Sequence, residues 1–134
     1  MNKACPVVLR PGKENPELLV FRHPNAGMQL VKGSIEPGES LESTCERELF
    51  EESGLNGRSS RFLGVWESDY KGQVWGVCLM QLIEPSKDRW SHFTSDGGGL
   101  TFCFSWQNIN SELTEDFHPL FQGAIHFIQR QLSS

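Results

Sequence analysis

Apolar positions along the chain come in short runs punctuated by turn formers. Residues 7–10 and 18–21 are β-branched or apolar and are separated by Pro11-Gly12 and Asn15-Pro16, which predicts two strands joined by a turn. Residues 28–31 make a third short strand. Residues 34–40 contain Pro37-Gly38 and read as a loop, whereas residues 41–53 hold neither Pro nor Gly and stop at Gly54, the pattern of a helix. Residues 62–66, 74–83 and 100–106 then read as strands, and the middle one is apolar almost throughout, as a strand covered on both faces is. Beyond Thr114-Glu115-Asp116 a second helix is predicted, with Pro119 in its first turn and Phe121, Ala124, Ile125, Ile128 and Leu132 on one stripe. Strands with one helix in mid-chain and one at the end predict an α/β fold, a mixed sheet between helices without regular βαβ alternation. Residues 84–99 are expected to form a long irregular segment, a feature that in compact domains is often functional.

Composition narrows the class. A chain of 134 residues with 37% hydrophobic and 22% charged residues is expected to be one globular domain over residues 1–134. Its apolar runs, such as residues 77–80, fall far short of the roughly 20 residues of a bilayer crossing, so no membrane span is expected. Residues 1–6 carry no apolar leader. Cys5, Cys45, Cys78 and Cys103 show no CxxC and no zinc-ligand spacing, which predicts free or buried thiols in a reducing, cytoplasmic compartment. The net charge of -5 repels a nucleic-acid backbone, so a phosphate-bearing ligand must bring cations or meet a local basic pocket.

The placement of the acids says more than their sum. Glu36, Glu39, Glu42, Glu46, Glu48, Glu51 and Glu52 lie between residues 36 and 52, where Arg47 is the single cation. On a helical wheel Leu41, Cys45 and Leu49 form the inward stripe, Glu48 and Glu52 project within or beside it, and Glu51 lies one flank over. Carboxylates three and four apart stand about 5 to 6 Å from one another, and each pair repels by roughly 3 kcal/mol at an effective dielectric near 20. Desolvation adds to that cost. A hard divalent cation, Mg²⁺ or Mn²⁺, resolves it, because it takes oxygen ligands and completes its shell with substrate phosphates. Glu42 and Glu46 read as solvated surface. The alternating Asp and Asn of an EF-hand are absent, which argues against a structural calcium site.

Residues 33–55, GSIEPGESLESTCERELFEESGL, resemble the signature of the Nudix hydrolases: Gly33, Glu39, Arg47, Glu48, Leu49, Glu51, Glu52, Gly54 and Leu55 occupy the pattern positions without departure. The resemblance implies an α/β/α sandwich and Mg²⁺-dependent hydrolysis of a diphosphate bond in a nucleoside diphosphate linked to another moiety. It implies that Glu48 and Glu52 are metal ligands, that Glu51 is a further ligand or the base that orients water, and that Gly33 offers its carbonyl to a metal. Arg47 would pair with a box carboxylate to hold loop and helix together, and Glu39 would be structural. In the family a further acid from a late loop sometimes acts as the base, a role for which Asp88 and Asp96 are candidates. Homodimers are common among such proteins.

Arg22 and Lys32 are candidate cationic contacts to phosphate oxygens, or surface residues with apolar stems packed down. Trp66, Trp75, Trp90, Trp106 and Phe104 are candidates for a base-stacking wall, against the commoner use of such residues in the core. Tyr70 sits about where the dinucleoside polyphosphate subgroup has a tyrosine, and the proline that the ADP-ribose subgroup would be expected to carry near it is absent. The substrate is thus expected to be a small nucleotide derivative, with a capped RNA end as the one nucleic-acid possibility. A module that binds nucleotides without turnover is the competing reading; the intact carboxylate set argues against it.

Overall fold

A computed structural model describes residues 1–95 and 98–134. Two sheets lie between two helices. The first is mixed: β1 (Lys3–Val7) runs parallel to β7 (Val74–Leu82) and antiparallel to β5 (Gly33–Ser34), while β6 (Gly57–Glu67) closes the far edge antiparallel to β7. The second is antiparallel, in the order β2 (Leu9–Arg10), β3 (Glu17–His23), β9 (Leu100–Asn108), β8 (Trp90–Thr94), and β4 (Gly27–Gln29) shares an edge of β3 with β2.

Strand periodicity assigns each apolar side chain to one of two cores. Cys5, Val7, Leu18, Val20, Trp75 and Val77 face the helix α2 (Pro119–Leu132), whose Phe121, Ala124, Ile125 and Ile128 are buried against them. Their neighbours Ala4, Leu19, Phe21, Cys78 and Met80 face the helix α1 (Leu41–Ser53) and pack with Leu41, Cys45 and Leu49. Burial on both faces is why β3 and β7 read as continuous apolar runs. Among the described residues no helix is long and apolar enough to cross a membrane.

The expected sandwich is present, but the single mixed sheet is replaced by a mixed and an antiparallel sheet, the third strand covers Gly27–Gln29 rather than residues 28–31, and three further local differences appear. The run over residues 7–10 is divided between sheets, because the chain leaves β1 at Val7 and enters β2 at Leu9. Strand β6 begins at Gly57, ahead of the expected residue 62, since it is an edge strand whose first residues, Gly-Arg-Ser-Ser-Arg, bury little and carry no apolar alternation. Residues 84–99 contain β8, whose pairing with β9 supplies backbone partners that its own sequence does not advertise.

Candidate active site

Helix α1 is defined locally at both ends. Ser40 caps its start by accepting the Ser43 N–H at 3.1 Å, and Gly54, in the left-handed conformation at φ 80°, returns its N–H to the Phe50 carbonyl at 2.8 Å. The last turn carries Glu51 and Glu52 and no basic residue, so carboxylates sit where the helix dipole is already negative, at a cost of roughly 0.3–1 kcal/mol each. Strand β8 covers that end: the Trp90 indole donates to the Ser53 carbonyl at 2.9 Å, and His92 Nε2 donates to the Glu51 carbonyl at 3.1 Å.

Glu48 and Glu52 are buried at 6% and 7% exposure, beside the Leu41, Cys45 and Leu49 stripe as the wheel placed them. Glu42 is exposed. Glu46 is half-buried and accepts the Ser59 N–H at 3.2 Å, fastening the helix to the β6 edge.

One guanidinium organises the rest. Arg47 donates through Nε and Nη2 to the two oxygens of Glu39 at 2.7 and 2.8 Å, through Nη1 to Glu48 at 2.9 Å and Glu51 at 3.2 Å, and through Nη2 to the Ser34 carbonyl at 3.2 Å. These five bonds match the five N–H donors of an arginine. They tie the loop before α1 to two acids on α1. The Arg47 fork, the Glu36 N–H and the Thr44 hydroxyl hold the Glu39 carboxyl down to about 2. The same contacts, Glu39 foremost, raise the Arg47 guanidinium above its ordinary value.

Gly33 lies directly against Glu48. A Cβ at this glycine would overlap Cδ and both oxygens of the Glu48 carboxylate, so no other residue fits without displacing it. Next to it, Lys32 is half-buried; burial and the neighbouring Lys3 lower its pKa, opposed by Glu52, Cys5 and Glu48. Lys3 donates to the Ser34 hydroxyl at 2.7 Å, a second cation at this loop that the sequence reading did not single out. Strand pairing of Lys3 with Ser34 brings it there across 31 residues, and nothing local in the sequence signals that. Among the described residues no three His, Cys, Asp or Glu side chains form a ready cation cage; in this arrangement Arg47 occupies oxygens of Glu48 and Glu51.

The remaining candidates separate. Tyr70 and Lys32 line one cleft of about 320 Å³. Arg22 lines another, of about 410 Å³, with Trp90 and Arg89, and pairs with Asp116 at 3.2 Å. Asp88 is 90% exposed and bound to Arg10 at 2.7 Å. Asp96 lies outside the described residues. Trp75 and Phe104 are core residues, and Trp90 stacks on Phe104 with centroids 5.1 Å apart.

The loop, helix and guanidinium fork agree with the comparisons to known proteins. A family model described as NUDIX domain matches residues 2–101. The chain belongs to the NUDIX family. It is 35% identical over 87 residues to the NAD-capped RNA hydrolase NudC of Actinobacillus succinogenes, covering 59% of this chain and 30% of that protein. It is 29% identical over 92 residues to diphosphoinositol polyphosphate phosphohydrolase 3-alpha of Mus musculus, covering 64% of this chain and 56% of that protein. The chain thus spans well under two thirds of the length of either relative. Among solved structures, a NUDIX hydrolase from Nitrosomonas europaea matches with TM-score 0.65 and 20% identity over 96% of this chain and 88% of its own. An ADP-ribose pyrophosphatase from Streptococcus suis matches with TM-score 0.67 and 14% identity over 96% of this chain and 90% of its own. At those identities the structural matches speak to the fold.

Proposed function

We propose that this protein hydrolyses a diphosphate bond in a nucleoside diphosphate linked to another moiety, using Mg²⁺ or Mn²⁺ held at the acidic turn. The observation that carries this reading is the Arg47 fork, which gathers Glu39, Glu48, Glu51 and the Ser34 carbonyl around Gly33. Such an outlay of hydrogen bonds on an acid-rich helix end fits a site that must present carboxylates in fixed positions. The names of the related proteins, an NAD-capped RNA hydrolase, a diphosphoinositol phosphohydrolase and an ADP-ribose pyrophosphatase, support a diphosphate-containing substrate.

The donor set fits the ion. Glu48, Glu51, Glu52 and the Gly33 carbonyl are hard oxygen donors, and the space a Cβ would fill at Gly33 is taken by the Glu48 carboxylate, which therefore lies against the loop backbone. Glu48 and Glu52 would hold the cation, with Glu51 as a further ligand or as the base. The chemistry the bound ion supplies is neutralisation of phosphate oxygens and acidification of the attacking water. Arg47 holds Glu48 and Glu51 together on one nitrogen and orients them, and Glu39 fixes Arg47. As the base, Glu51, with 41% of its side chain exposed, would take the proton of the attacking water, whereas the candidate Asp88 is held by Arg10. Lys32 adds positive charge beside the phosphates. Residues 1–134 act as one domain in this reading, because α2, beyond the matched family segment, fills the core shared with β1 and β7. Four unpaired thiols suit a reducing, cytoplasmic setting.

A substrate panel of a dinucleoside polyphosphate, a nucleotide sugar, a nucleoside triphosphate and an NAD-capped RNA, each with and without Mg²⁺, tests the assignment. Metal-dependent release of a phosphorylated product is expected for at least one, and Glu52→Gln lowers that rate by about 10²-fold or more. Retention of activity within about tenfold removes Glu52 from metal binding. Binding without turnover across the panel replaces the hydrolase with a sensing module.

A further inference from the structure

The cleft of about 320 Å³ lies between the turn that joins β6 to β7, strand β4 and the start of α2. Lys32 and Lys71 both line it, together with Gln29, Gln73, Tyr70 and His118. Among the described residues none of its lining side chains is a carboxylate, in a chain that carries 17 Asp and Glu and a net charge of -5. A concave, cationic, acid-free surface on an acidic protein concentrates anions.

Two polar groups here, Gln73 and His118, each keep a donor free of the bonds they make. Gln73 spends its side-chain oxygen on the Trp75 indole N–H at 3.0 Å, which leaves its amide NH₂ for the cleft. Tyr70 has Lys71 Nζ 5.2 Å from its ring centre and meets His118 edge-on at 5.4 Å, so the ring is covered rather than open to a base. The turn is fixed by Tyr70 N–H to the Ser68 hydroxyl at 3.1 Å and Gln73 N–H to the Tyr70 carbonyl at 2.9 Å. His118 accepts the Leu120 N–H at Nδ1, at 3.0 Å, so Nε2 carries the proton of the neutral ring and is likewise a donor. Donors without a stacking surface suit phosphate oxygens better than a nucleobase or a neutral sugar.

Lys32 joins this cleft to the acidic turn. It lines the cleft, its neighbour Gly33 seats Glu48, and its ammonium stands 5.8 Å from the Trp75 ring centre. A diphosphate bound at the turn would therefore continue past Lys32 into the cleft.

We propose that the Lys32–Lys71 cleft is the subsite for the portion of the substrate beyond the scissile diphosphate, and that this portion carries a further phosphate. The assignment of substrate class rests on the hydrolase reading above; the anion site itself does not. Lys71 is then a specificity residue, reached by the fold and absent from any local motif.

Titration of ¹⁵N-labelled protein with inorganic tripolyphosphate in EDTA tests the anion site without metal or turnover. Resonance shifts are expected at residues 70–73 and 26–29. Lys71→Gln weakens binding by about fivefold, Lys71→Arg restores it to within about twofold, and the exposed Lys13→Gln, with the same loss of charge, stays within about twofold. Shifts elsewhere, an unaffected Lys71→Gln, or an equal loss in Lys13→Gln overturns the site. Wild-type hydrolysis of a dinucleoside tetraphosphate and of ADP-ribose then tests the class: kcat/KM is expected to favour the former by about tenfold. Equal rates or a preference for ADP-ribose overturns the further phosphate. Tripolyphosphate binding that depends on Lys71, with no turnover of any substrate, overturns the hydrolase reading and leaves the anion site standing.

Discussion

The α-carbon of Gly33 and the carboxylate of Glu48 share one surface, with no room between them for a methyl group. The requirement is steric rather than conformational, since Gly33 is not among the residues with positive φ. Gly33→Ala therefore folds with Glu48 pushed out of register. A displacement near 1 Å at a positioned group costs about 10²-fold in rate. The expected result is a fall of that size in kcat/KM with the helix content of α1 intact, read by kinetics alongside circular dichroism; wild-type rates in the alanine variant would show that Glu48 has no catalytic position to lose.

Arg47→Lys separates charge from geometry. Lysine retains the positive charge and has three donors on a point rather than five on a plane. Losing the fork removes a charge-assisted hydrogen bond to Glu48, which has 8% side-chain exposure, a change worth about 1.5–3 kcal/mol. Urea unfolding should show a lower midpoint for Arg47→Lys and a further drop for Arg47→Ala, and a midpoint equal to wild type in the lysine variant would mean that the fork contributes only local order.

Glu39 sets an acid limb in the stability profile. Its carboxyl is held at about 2 in the folded protein against an ordinary 4.5, so folding favours the ionised form. The stabilisation is complete above 4.5 and is lost as pH falls toward 2. Urea midpoints measured across that interval should decline for wild type and decline less for Glu39→Gln. Parallel curves would assign the acid limb to other carboxylates.

The four cysteines are expected to react in two classes. Cys103 is exposed, whereas Cys5, Cys45 and Cys78 are buried, and burial pushes the Cys5 thiol up to about 12. Thiolate availability controls alkylation. Iodoacetamide at neutral pH should label Cys103 first, with the other three modified on unfolding, and mass spectrometry of the intact protein reads the count. Rapid labelling of Cys45 in native protein would mean that α1 separates from the sheet far more readily than its packing implies.

Much of the site was legible along the chain because its parts are local. The helix over residues 41–53 follows from Ser40, Gly54 and the absence of breakers between them, and the wheel alone puts Glu48 and Glu52 beside the buried stripe. A spacing motif is a statement about one turn-helix unit, and such units obey rules that short sequence carries. The first residues of the edge strand β6 and the whole of strand β8 were not legible, since each is held by hydrogen bonds to a partner strand rather than by an apolar pattern of its own.

By itself the sequence determined the two helices, the burial of β7 on both faces, and the set of carboxylates that the acidic turn presents. Only the tertiary structure decided where the chain's other cations go. It set Lys3 on Ser34 through the pairing of β1 with β5, gave Asp88 to Arg10 and Arg22 to Asp116, and brought Lys71 and His118 to the cleft that Lys32 shares. The reason is geometric. Hydrophobic periodicity and capping act over a few residues, whereas charges on different strands become neighbours only when the sheets fix their register.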